Sequence, residues 1–281
     1  MYLTFLAKRC FVTLNTLQKN TLAKEQTNIL STLNNEYLIN PKNLFSNKDH
    51  EEFVHRNQTK IQTAKDFAEK SAKGAQFTKN LKDLAYFYGY IDKNMEEVSR
   101  LLIQTTENSK PLQLEVLSEV VWALIPIVSI EHKKKYWPLL YPEITQKLSK
   151  RVLDKTDMWT KIMLTQLLIE YENAMNVPES QHPAFLDELK RGELLLADDV
   201  HYKIHEEFAN SLRKTTPDVS LMPKQVGLYS LHVVSGSKEY YMLLNSNPST
   251  YLMNMHKLVK KHHLVNHFGY DVKEEYVNRN F

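Results

Sequence analysis

The chain of 281 residues holds a single cysteine, Cys10. That excludes a disulfide within the chain, a thiolate metal cluster, and cysteine chemistry anywhere beyond residue 10. Glycine is scarce at six residues, so Gly-rich phosphate loops have little to be built from. The longest apolar stretch, residues 120–130, is interrupted by Pro126 and falls short of the roughly 18 residues a membrane-spanning helix needs. No membrane span is therefore expected. Acid is missing from the start of the chain: residues 1–24 carry Lys8, Arg9, Lys19 and Lys24 before the first acidic side chain, Glu25. Leu3, Leu6, Phe11, Leu14 and Leu17 are spaced there as on an amphipathic helix. Basic, hydroxyl-bearing and acid-free, residues 1–24 have the make-up of a mitochondrial presequence, and the expected location is the mitochondrial matrix. Beyond residue 24 the chain has 32 basic and 33 acidic side chains. A near-neutral chain is no general polyanion binder, so any nucleic-acid contact must come from a local patch.

What is present is helix. From residue 25 to about 220, segments such as "LKDLAYFYGYI", "LQLEVLSEVVWALIPIV" and "DMWTKIMLTQLLIEYENAM" carry apolar residues at three- and four-residue spacing. Asp157 and Asp198 stand where N-caps belong, and prolines follow the helices at "ENSKP", "MNVPES" and "KTTPD". A faint repeat lays "NLKDLAYFYGYI" from Asn80 over "VLSEVVWALIPI" from Val116 and "KIMLTQLLIEYE" from Lys161. Intervals of 36 and 45 residues suggest stacked helix pairs, an α-solenoid, with an irregular bundle as the alternative. Residues 221–281 change character. "GLYSLHVV" and "EYYMLLNS" read as strands around the hairpin loop "SGSK". A helix over 250–268 follows, capped by Gly269, and "YDVKEEYV" reads as a closing strand.

That helix carries the densest chemistry. "HKLVKKHHLVNH" packs four histidines and three lysines into twelve residues. At 100° per residue, Tyr251, Leu252, Met255, Leu258, Val259 and Val265 share a broad side with His262 and should face the sheet. His256, Lys260, His263 and His267 form a neighbouring polar stripe, with Lys257 and Lys261 further round. His263 and His267, four apart, would suit two metal ligands on one face. The residues between them lack the Glu of a zincin motif, and no third ligand is evident, so no metal or other cofactor is expected. His262 reads as a packed imidazole with a satisfied hydrogen bond. Paired acids at Glu206–Glu207 and Glu274–Glu275 read as solvated faces. No nucleophile elbow or kinase motif set appears, so neither catalysis nor a small-molecule substrate is expected.

The last 55 residues resemble a RAP domain, the small module that ends FAST-kinase-like proteins and many organellar helical-repeat proteins. The likeness rests on "LVKKHHLVNHFGYDV" and on the hairpin "YSLHVVSGSKEYYMLLN". Upstream, "VVWAL" resembles the Trp-Ala-Leu of octotricopeptide- and heptatricopeptide-type repeats. The resemblance implies an α-helical repeat body over 25–220, an α/β RAP-like domain over 221–281 with a core similar to PD-(D/E)XK nucleases, and an organellar RNA-binding or ribonucleoprotein role. A nuclease of that pattern needs an acid on the first strand and two on the second. Here those positions hold His232, Leu243 and Asn245, and the hairpin's one acid is Glu239, at the turn. Without carboxylates to hold a divalent ion, a nuclease is not expected. The expected function is a non-catalytic component of a large mitochondrial assembly. The mitochondrial ribosome, with rRNA and neighbouring proteins as partners, comes first; a structural subunit of a respiratory-chain or other protein complex is the alternative. RNA contact would run through Lys257, Lys260, Lys261, His263 and His267 and through a loop holding Lys133, Lys134 and Lys135.

Overall fold

The computed structural model describes residues 29–72, 76–148, 156–176, 202–222, 224–227, 229–236, 238–246 and 249–277. The segment read as a presequence, and the N-cap expected at Asp198, lie outside the described residues. The chain is mainly helical with a small C-terminal sheet region.

The body runs α1 (residues 29–38), α2 (Pro41–Phe45), α3 (Asn47–Arg56), α4 (Gln58–Ser71), α5 (Gln76–Tyr86), α6 (Met95–Glu107), α7 (Leu114–Leu124), α8 (Ile130–Lys147), α9 (Met158–Met175) and α10 (Tyr202–Leu212). Local chemistry sets several starts. Asn94, Ser129 and Asp157 each accept a hydrogen bond from the backbone N–H three residues on, giving α6, α8 and α9 side-chain N-caps. Asn176 closes α9 in the left-handed region at φ 52°. After Tyr86, α5 widens into a π-helical turn, Phe87–Ile91. It fits there because Gly89 has no Cβ: one would come within 2.6 Å of Ile127 Cδ1.

The three segments matched by the internal repeat are α5, α7 and α9. They pack as neighbours, α5 on α7 and α7 on α9, while α6 packs on α8. α9 is apolar nearly all round, with every residue from Ile162 to Glu170 buried, so it runs through the body rather than over it. Lys133, Lys134 and Lys135 were expected in a loop. They lie instead in the first turns of α8, because the Ser129 cap starts that helix at Ile130.

Among the described residues the C-terminal unit holds six strands: β1 (Val219–Ser220), β2 (Lys224–Val226), β3 (Tyr229–Leu231), β4 (Val234–Ser235), β5 (Glu239–Asn245) and β6 (Asp271–Val277), with α11 (Tyr251–Asn266) between the last two. One sheet has the order β1-β4-β5-β6 and β2-β3 form a separate ribbon. β4 and β5 are the expected hairpin, paired antiparallel with Val234 opposite Tyr240. β5 and β6 are parallel, from Glu239 opposite Asp271 to Asn245 opposite Val277. Parallel neighbours need a crossover, and α11 is that crossover. The first expected strand is broken at His232 and Val233, where the chain turns a side chain toward a second core. Tyr229, Leu231 and Val234 join one apolar cluster, and Val233 joins another with Val219 and Tyr241.

α11 has no solvent side of the usual width. Met255 and Val259 belong to the core of the helical body, and Leu264 belongs to the core beneath the sheet. Each such side chain contributes roughly 1.5–3 kcal/mol by leaving water. Polar latches add to this. Asn254 donates to the carbonyls of Leu38 and Ile39, at 2.8 and 3.0 Å. Tyr251 donates to Glu119 Oε1, which also accepts from Tyr86, both at 3.1 Å, and Lys82 pairs with the other oxygen at 2.6 Å. The helix ends as expected at Gly269, φ +66°, where the Tyr270 N–H reaches back to the Leu264 carbonyl at 2.8 Å. Gly269→Ala forces an L side chain into that conformation and should cost about 1–2 kcal/mol. A thermal melt should then shift down by about 2–4 °C per kcal/mol; an unchanged melt would mean that the turn does not hold the β6 crossover.

Candidate functional site

α9 is buried along most of its length, and it carries Gln166 and Glu170, four apart and both fully buried. That spacing puts them on one face, aimed at α11. A buried carboxylate without partners is prohibitively costly. Three elements supply the partners. Lys133 of α8 places Nζ 2.6 Å from Glu170 Oε1, with both side chains almost wholly buried. On α11 and its cap, His267 Nε2 hydrogen-bonds Oε2 at 2.8 Å and His263 Nε2 lies 3.1 Å from the same oxygen. His262 Nε2 stands 3.7 Å from Oε2 and 3.0 Å from the Lys133 ammonium, whose proton it accepts.

A chain of hydrogen bonds leads away from this cluster into both halves of the molecule. His263 Nδ1 meets the Tyr229 hydroxyl at 2.7 Å, Gln166 Nε2 donates to that hydroxyl at 3.0 Å, and Trp122 Nε1 donates to Gln166 Oε1 at 2.7 Å. Polarity assigns the protons: with Tyr229 donating to Nδ1, His263 is a neutral imidazole carrying its proton on Nε2, toward Glu170. The network therefore runs from the body helix α7 through α9 and the ribbon strand β3 to α11, and back to α9. Trp122 is the tryptophan of the "VVWAL" segment, and this is what it holds.

The electrostatics follow from burial. Burial alone would push the Glu170 carboxyl up. The imidazoles of His263 and His267 turned on it, and the charge of Lys133, outweigh that and hold it well below the usual carboxylate range. Burial pulls Lys133 down, partly offset by Glu170. Burial, with the Lys133 charge second, pushes His262 down to about 3. Burial also lowers His263, against the opposing pull of Glu170. Burial thus favours uncharged imidazoles at His262 and His263 beside an ionised Glu170.

This arrangement redraws the basic patch read from the sequence. Lys133, Lys257, Lys260 and His263 are buried, so they present nothing to a phosphate backbone. Lys257 donates to the Leu243 carbonyl at 2.9 Å. Lys260, fully enclosed, donates to the Ser230 carbonyl at 3.2 Å, and its ammonium stands 5.7 and 5.1 Å from the ring centroids of Tyr229 and Tyr240. Lys261 is ion-paired with Glu274, and His267 is bound to Glu170. Only Lys134 and Lys135 of the set are exposed. The helical wheel went wrong because α11 packs against both body and sheet; the stripe taken as polar and outward faces Glu170 and two tyrosines, while Val265, expected inside, is exposed. His262 is the packed, hydrogen-bonded imidazole expected of it. Of the positions compared with nuclease acids, Leu243 is buried, and His232 and Asn245 are half-buried. His232 lies against His205, ring centroids 5.0 Å apart.

Sequence reasoning found His263 and His267 but no third donor, because the carboxylate comes from a helix 97 positions before His267. The available signal was an acid and an amide at i, i+4 inside an otherwise apolar helix. Among the described residues, Glu170, His263 and His267 are a group able to hold a metal, their ligand atoms within 4.8 Å of one another. No family model matches the sequence, no curated protein matches it, and no solved structure matches its fold.

The charge states give a pH dependence. Burial keeps His262 neutral in the folded chain well below the roughly 6.5 at which it protonates when unfolded, and lowers His263 in the same direction. From that pH down toward about 3, the unfolded state binds more protons, so stability falls as pH falls. In chelator, urea unfolding at pH 7.5, 6.0 and 5.0 should lose up to about 1.4 kcal/mol per pH unit for each such histidine below about 6.5. His50, also lowered by burial, adds with the same sign. His262→Asn should remove its own share of the slope; an identical slope in that variant would contradict a neutral His262.

Proposed function

We infer that the chain is a non-catalytic structural component of a large mitochondrial assembly, a helical-repeat body closed at its C-terminal end by a RAP-like α/β unit. The observation that carries this reading is the inward use of the basic C-terminal helix: Lys257 and Lys260 bind carbonyls of the α/β unit's own strands, and His263 and His267 fasten that unit to Glu170 of the body. The strand–strand–helix–strand order supports the RAP-like assignment. The α5–α7–α9 and α6–α8 packing supports a solenoid-like body. Apolar or neutral side chains at the compared nuclease positions, Leu243, His232 and Asn245, support a scaffold rather than a nuclease.

The resemblance makes a ribonucleoprotein, the mitochondrial ribosome first, the assembly of choice. Lys134 and Lys135 then remain for phosphate contact, as exposed point charges that read backbone and not bases. A second reading, a subunit of a respiratory-chain or other complex without RNA, is favoured by the surface. Met95 and Ile103 on α6, and Ile130 and Leu139 on α8, are large apolar side chains each at least two-fifths exposed on neighbouring helices. Among the described residues, no helix is long and apolar enough to cross a membrane.

Localisation and co-sedimentation test the reading together. Residues 1–24 fused to a fluorescent reporter should reach mitochondria, and the tagged full chain should sediment with ribosomal subunits from mitochondrial lysate. Lys134→Ala with Lys135→Ala should lower the salt slope of RNA binding by about two counterions. Sedimentation with a ribosome-free complex and an unchanged slope would select the second reading. A cytosolic reporter with a chain that sediments alone would overturn both.

A further inference from the structure

We propose that Glu170, His263 and His267 form a binding site for a zinc-class divalent cation that staples the C-terminal helix to the helical body. Two imidazoles and one carboxylate are a recognised zinc donor set. The three come from two elements, with the histidines at i, i+4 on one helical face and the carboxylate facing them from α9. His267 Nε2 and His263 Nε2 lie 2.8 and 3.1 Å from Glu170 Oε2. Donors on a tetrahedral ion with bonds of about 2.0–2.2 Å stand roughly 3.4 Å apart. Small rotations of the rings therefore open the group to coordination.

The built-in ammonium does not occupy this position. Lys133 takes Oε1 and His262 Nε2, whereas both ligand histidines converge on Oε2, so the two cations would use different oxygens of one carboxylate. Glu170 and His263 are fully enclosed, and enclosed polar groups of this kind gain from a ligand that adds to the partners they have. The shell behind the ligands also suits an ion. On coordination His263 must carry its proton on Nδ1, where the Tyr229 hydroxyl stands 2.7 Å away with a lone pair to receive it, and Gln166 and Trp122 hold that hydroxyl in place. The group meets solvent at His267, whose side chain is 12% exposed.

The test uses the full chain, stripped with chelator and dialysed at pH 7.5, then titrated with Zn²⁺ alone. The expected result is one ion retained per chain, a rise in the melting temperature, and nitrogen NMR shifts at Nε2 of two histidines. His267→Ala, at the rim, should weaken retention at least tenfold and abolish the thermal shift, whereas His55→Ala, an exposed control, should leave both unchanged. If His267→Ala fails to fold, the wild-type spectra decide: Nε2 shifts at His263 and His267 uphold the site. No retained ion, retention unaffected by His267→Ala, or shifts confined to exposed histidines would overturn it. The result does not depend on which assembly the protein joins.

Discussion

The interaction on which the structure depends is the enclosure of one carboxylate. Glu170 sits at zero exposure in the middle of an apolar helix, and nothing on α9 itself satisfies it. Its partners must come from α8, α11 and the turn after α11, so those elements can only close on α9 together. Removing either member of such a pair leaves an uncompensated charge in a dry interior, at a cost of about 3–5 kcal/mol. Replacing the cluster with well-packed apolar groups need not cost anything, so its presence is weak evidence for stability as such. What it fixes is geometry: in the seating observed, His263 and His267 converge on the same oxygen.

The position of α11 follows from that seating. A crossover helix between parallel strands normally covers one face of its sheet and meets solvent on the other. Here the other face is taken up by the helical body, through Met255 and Val259, the Asn254 latch and the Tyr251–Glu119 bond. Lys257 and Lys260 on the helix are consequently enclosed and satisfied by carbonyls and tyrosine rings. The same side chains that suggest a phosphate-binding stripe in sequence serve in the fold as internal fasteners, and this shapes the functional reading more than any surface feature does.

Much of the local structure was legible from residues alone. Asp157 and Gly269 marked a helix start and a helix end, the hairpin between β4 and β5 was signalled by its glycine, and apolar spacing marked α5, α7 and α9 as helices, which pack as neighbours. These features depend on neighbours within a few residues or on simple periodicity. The burial of α11 was not legible, because a helical wheel assumes one wet side, and only tertiary packing decides whether a second side is covered. The carboxylate at the centre of the site was hidden for a related reason. Glu170 is far from His263 in sequence, and an isolated acid in a helix is ordinarily solvent-facing.

The central claim is that body and C-terminal unit are one cooperative structure joined at Glu170. Native-state hydrogen exchange, resolved by residue, tests it most directly. The account predicts that amides in α11 and β5 exchange with the same opening free energy as those in α7 and α9, and that Glu170→Gln lowers all of them together. Exchange of α11, β5 and β6 through a separate, lower-energy opening, with α7 and α9 still protected and unaffected by Glu170→Gln, would contradict it.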